Sequence, residues 1–141
     1  MWLVYALLSA VFAAAVSILA KAGMEGVNSN LATAVRTGVV LVMAWGLVFA
    51  LGLQHGLSAL TSRNWWFLIL SGIATGLSWL FYFAALKEPG GNVSRVNPID
   101  KSSLVLAMVF AFLFLGEKAT PGVLVGGGLI TAGTLVIVFW K

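Results

Sequence analysis

From Trp2 to Ala20 the chain carries no charged residue, and that run is about long enough to cross a ~30 Å hydrocarbon core as a helix. Four more stretches of similar length and apolar character follow, each closed by polar residues, glycine or proline. A soluble domain of 141 residues needs a polar shell. With 61% hydrophobic and 9% charged residues and a mean hydropathy of +1.06, this chain has none. The apolar runs must be solvated by lipid. The sequence therefore predicts an all-α membrane protein with five transmembrane helices, over residues 2–20, 30–53, 65–86, 92–115 and 121–140, forming one domain over 1–141.

The breaks carry the usual punctuation. Lys21 ends the first run, and AGMEGVNSN follows as a loop. Gln54-His55-Gly56 to Arg63 forms the next. Lys87-Glu88-Pro89-Gly90-Gly91 disfavours helix continuation, and Pro121 suits the first turn of the last helix. Trp2, Tyr5, Trp65-Trp66 and Trp140 suit the interface, and Lys141 is expected to snorkel. The N-terminal run is not read as a cleaved signal, since it lacks a cationic start and its apolar stretch is too long. There is no convincing internal repeat. Five spans put the termini on opposite sides. Side A, with the N-terminus, carries Arg63 and Lys118; side B carries Lys21, Lys87, Arg95 and Lys141. The excess on B favours N-out, C-in, by a margin thin enough to be compatible with insertion in both directions.

Several function classes drop out. The single histidine, His55, sits in a loop with no cysteine and no second histidine to complete a metal site. There is no nucleophile elbow and no phosphate loop; Gly126-Gly127-Gly128 lies inside an apolar run. The net charge of +4 comes from single basic residues at segment ends, with no patch for nucleic acid. No enzyme, metal or cofactor is expected.

Polar residues at membrane depth say more. Asn97–Lys118, NPIDKSSLVLAMVFAFLFLGEK, places Asp100 and Lys101 side by side about 12–15 Å into a helix that enters lipid near Asn92. Arg36 lies about seven residues into segment 2, which runs in the same direction, so polar groups gather in the B half of the membrane. Ionisable residues there cost about 2.5–3.5 kcal/mol on insertion scales and usually face protein or water. Asn97, Ser102 and Ser103 add amide and hydroxyl groups. In one reading Asp100 simply neutralises Arg36 or Lys101 as a structural knot; in the other the cluster lines a wet cavity that binds or gates a solute. Pro98 frees a carbonyl one turn earlier. It marks either a broken helix of the kind found at transporter sites or a helix that starts late, near Asn97. Trp79, Tyr82 and Phe83 form either a solute-facing wall or a lipid-facing one. The candidate substrate-binding or gating residues are Arg36, Asp100, Lys101, Asn97, Ser103, Tyr82 and Trp79.

Small residues repeat at four-residue spacing. Gly72 and Gly76 do so in segment 3, Ser103, Ala107 and Ala111 in segment 4, and Gly122 and Gly126 in segment 5. Such rows permit close backbone approach. Segment 5, with Gly127, Gly128 and Gly133 as well, has more small faces than one neighbour requires and is the candidate subunit contact.

The run Pro98-Ile99-Asp100-Lys101 through Leu115-Gly116-Glu117-Lys118, followed by the Gly-rich PGVLVGGGLITAGTLVIV, resembles the last two helices of a unit of EamA-type members of the drug/metabolite transporter superfamily. Lys21-Ala22-Gly23 closing helix one and Arg36 early in helix two also fit. Members of that family commonly hold two such five-helix units of opposite orientation in one chain. The resemblance thus implies a half-size secondary transporter (permease) for a small metabolite or drug-like solute. It would complete itself as an antiparallel homodimer, or as a heterodimer with a paralogue, in a prokaryotic inner membrane. A related small-transporter group uses a glutamate in helix one; segment 1 has none, so that exchange mechanism is not carried over. The alternative is a structural or accessory membrane subunit without transport of its own.

Overall fold

The computed structural model describes residues 1–140; Lys141, and with it the snorkelling expectation, lies outside the described residues. All regular structure among them is helical: α1 (Trp2–Gly23), α2 (Ser29–Ala50), a 3-10 segment (Leu53–Ala59), α3 (Ser62–Lys87), α4 (Val93–Lys101), α5 (Ser103–Phe114) and α6 (Pro121–Phe139). Five spans are long and apolar enough to cross a membrane, with α4 and α5 making up the fourth. Helices suit lipid because every backbone donor is satisfied within the segment. The few hydroxyls follow the same rule. Thr33 and Thr37 donate to the carbonyls of Ser29 and Thr33 at 2.8 Å, and Thr75 and Thr131 to those of Ser71 and Gly127 at 2.9 Å, each one turn back.

Helix ends fall where local chemistry puts them. The Asn28 side chain accepts from the Asn30 N–H at 2.9 Å to start α2. Thr61 and Thr120 accept from the N–H groups of Asn64 and Val123 at 3.3 and 3.4 Å to start α3 and α6. Gly52, at φ 68°, ends α2 in a left-handed turn that a side chain would strain. Three ends depart from the expected positions, and one of them is the start of α3, at Ser62 behind the Thr61 cap rather than at Trp65. The first helix continues past Lys21 to Gly23, and the Lys21 ammonium donates to the Leu86 carbonyl in the last turn of α3. The loop expected from Gln54 begins earlier, at Leu51, and contains the 3-10 segment.

The chain divides into two compact units, Met1–Glu88 and the residues from Pro89 onward. In the first, α3 packs on α2 and on α1. Its buried residues are Ser17, Ala20, Met24, Thr33, Phe83 and Leu86, with Leu86 wholly enclosed. In the second, α6 packs on α4 and α5. Gly127 is its buried glycine, and a Cβ there would meet the Met108 sulfur at 3.5 Å. Gly122, Gly126, Gly128 and Gly133 face open space.

Candidate functional site

The fourth span is broken at Ser102, four residues after Pro98. Helix α4 starts at Val93, so Pro98 lies inside it and the late start near Asn97 does not occur. Proline has no N–H, which leaves the carbonyl one turn earlier without its helical donor. One turn after the proline the ladder slips. The Ser102 N–H bonds the Ile99 carbonyl at 3.0 Å, three residues back, and the Ser102 hydroxyl donates to the same oxygen at 2.6 Å. The Pro98 carbonyl, freed by that slip, lies 3.3 Å from the Thr134 hydroxyl of α6. That hydroxyl is also 2.9 Å from the Ile130 carbonyl, so its single proton serves two acceptors. A three-residue closure inside a membrane span marks a joint, and here the last helix braces it.

Asp100 and Lys101 flank this joint. The Lys101 ammonium lies 3.3 Å from Asp100 Oδ2, with side chains 53% and 32% exposed. Adjacent residues on a regular helix do not face each other; this pair meets where α4 ends. Asn97, half-buried, lies one turn before Lys101, and Ser103, exposed, opens α5. These four sequence candidates therefore share one broken span.

The other three lie in the first unit. Arg36 sits seven residues into α2, about 10 Å along it, and its guanidinium lies over the Phe83 ring at 4.3 Å from the centroid. Phe83 meets Tyr82 edge-on at 5.1 Å. The Tyr82 hydroxyl donates to Ser17 Oγ at 2.9 Å, and Ser17 donates to the Ala13 carbonyl at 3.1 Å. Trp79 is half-buried one turn before Phe83, on the same face by spacing. At the helix ends the Lys87 ammonium donates to the Val27 carbonyl in the α1–α2 connection. Between α1 and α2 lies a cleft of about 540 Å³. Val16, Leu19, Leu31 and Val35 form its walls and Met24 one end; among the described residues Arg36 is the only charged one lining it.

The structure thus joins Arg36 to the aromatic wall and Asp100 to Lys101. Ser17 was not among the candidates, although a hydroxyl in the B half of an otherwise aliphatic run was the available signal. Among the described residues no three histidine, cysteine or acidic side chains gather as a metal site would require.

The profile of the EamA-like transporter family matches residues 1–139. A Sinorhizobium sp. protein named "Uncharacterized transporter in cobO 3'region" is 46% identical over 136 residues, covering 96% of this chain and 95% of the relative. An uncharacterized transporter of Synechocystis sp. is 25% identical over 131 residues, covering 92% of this chain and 37% of the relative. No solved structure matches.

Proposed function

The chain belongs to the EamA-like transporter family and is an integral, multi-pass membrane transporter; on that premise we propose that it is not an enzyme and works as one half of a secondary permease for a small metabolite or drug-like solute, completed by a second copy in the opposite orientation. A paralogue in place of the second copy is the fallback, and the compartment we propose is a prokaryotic inner membrane, in line with the bacterial relatives.

The observation that carries this reading is the extent of the family match. It takes in all five spans, and the Sinorhizobium relative is matched over nearly its whole length. The Synechocystis relative is matched over little more than a third of its own, which leaves room there for a second unit. Alternating access needs two halves that rock about a site, and one unit supplies one wall. The open glycine face of α6 supports close pairing. The broken fourth span, with Asp100 and Lys101 at its joint, supports placing the gate there.

Uptake into liposomes reconstituted from the purified chain alone is the test. Solutes are first chosen by their ability to raise the melting temperature of the detergent-solubilised protein, since a ligand of the native state raises apparent stability. Saturable uptake of such a solute supports the permease. Binding without uptake, in liposomes where the chain is correctly folded, favours an accessory subunit.

A further inference from the structure

The cleft between α1 and α2 has a charge pattern that selects a ligand. Its volume of about 540 Å³ falls in the range of small-molecule sites, roughly 300–1,000 Å³. Its walls are aliphatic. Among the described residues Arg36 is the only ionisable group lining it, and no carboxylate does. The other two cations at this end of the unit have assigned partners: Lys21 donates to the Leu86 carbonyl and Lys87 to the Val27 carbonyl. The carboxylates of the first unit are Glu25 and Glu88, and neither makes an ion pair with Arg36. The Arg36 guanidinium carbon lies over the Phe83 ring, 4.3 Å from its centroid. A ring contact satisfies none of the guanidinium N–H donors, and those match a carboxylate in a two-point contact. A positive charge about 10 Å along a membrane helix calls for a counter-anion or water beside it.

We propose that this cleft binds an amphipathic organic monoanion, with its carboxylate on Arg36 and its apolar body between Val16, Leu19, Leu31 and Val35. The assignment rests on the permease reading for its role as a transport site, but the binding chemistry stands apart from it. A cation of the same shape finds no counter-charge in the cleft, and a neutral analogue leaves the guanidinium unpaired.

The test compares 3-phenylpropionate, 3-phenylpropanamide and 3-phenylpropylamine on the purified chain in an uncharged detergent, reading tryptophan fluorescence and melting temperature. The carboxylate should bind roughly tenfold or more tighter than the amide, the margin expected of a charge-assisted contact, and the amine should not bind. Arg36→Gln should abolish the difference between carboxylate and amide, and Arg36→Lys should restore part of it. If Arg36→Gln fails to fold, Ala32→Phe provides the second variant. Ala32 lines the cleft, and filling it should remove carboxylate binding with Arg36 intact. Equal binding of amine and carboxylate, or carboxylate binding unchanged in Arg36→Gln or Ala32→Phe, overturns the proposal. So does full displacement of the binding by phosphatidylglycerol with no recovery at high probe concentration, which assigns the cleft to lipid. Loss of the binding only on chain dimerisation, seen by varying protein concentration, assigns it to a helix of a second copy. Selective carboxylate binding in a chain that transports nothing in liposomes retains this site and removes the permease; uptake of a solute with no preference for anions does the reverse.

Discussion

The Tyr82 hydroxyl, donating to Ser17 Oγ at 2.9 Å, ties α3 to α1. Lipid tails are as apolar as leucine, so burying apolar surface between helices gains little in a membrane, and packing with a few hydrogen bonds must hold them together. Tyr82→Phe should therefore lower stability by about 0.6–1.7 kcal/mol, read by unfolding in mixed micelles, with the aromatic contact to Phe83 preserved. The acid at the joint calls for a different expectation. Asp100 and Lys101 are both partly exposed, and an exposed ion pair contributes about 0–1 kcal/mol at most. Asp100→Asn should then leave the melting temperature nearly unchanged while reducing liposome uptake sharply. Equal losses of stability and uptake would mean that the pair is a structural knot. The sequence showed which polar residues lie at depth, because a charge in an apolar run is conspicuous. It did not show their partners. Whether Arg36 meets a carboxylate or an aromatic face depends on the helix rotations that bring Phe83 within 4.3 Å of it, and no spacing along one helix encodes that.

Among the elements, the fourth span shows most plainly where sequence reading stops. Its position and polarity pattern were legible: a polar start, Pro98, then an aliphatic run ending at Gly116. Pro98 alone was consistent with a late helix start or with a break. The break is decided by Ser102, which closes on Ile99 with both its N–H and its hydroxyl, and by Thr134, which takes up the freed Pro98 carbonyl. Thr134 lies on another helix, so its part was invisible along α4. Pro98→Ala restores the missing donor and should straighten the span, raising stability, since proline inside a helix costs roughly 3 kcal/mol. The same change should slow transport if the joint moves during the cycle. Hydrogen exchange at residues 99–103 would report the straightening as increased protection.

At the scale of the molecule, five spans were readable because length and composition alone decide which segments enter lipid. Pairing was not readable, because a row of glycines shows contact without naming the partner. Dual insertion predicts that a single cysteine placed at Ser58, in the 3-10 segment, reacts with a membrane-impermeant maleimide from both sides of the membrane. Labelling from one side only would exclude an antiparallel homodimer. The central claim, that two copies make one transporter, is tested most directly by mixing. Wild-type chain and Asp100→Asn chain, allowed to exchange in detergent and reconstituted together, should give uptake that falls faster than the wild-type fraction, following its square if both subunits must be intact. Uptake that falls in strict proportion to the wild-type fraction would show that each chain works alone and would contradict the account.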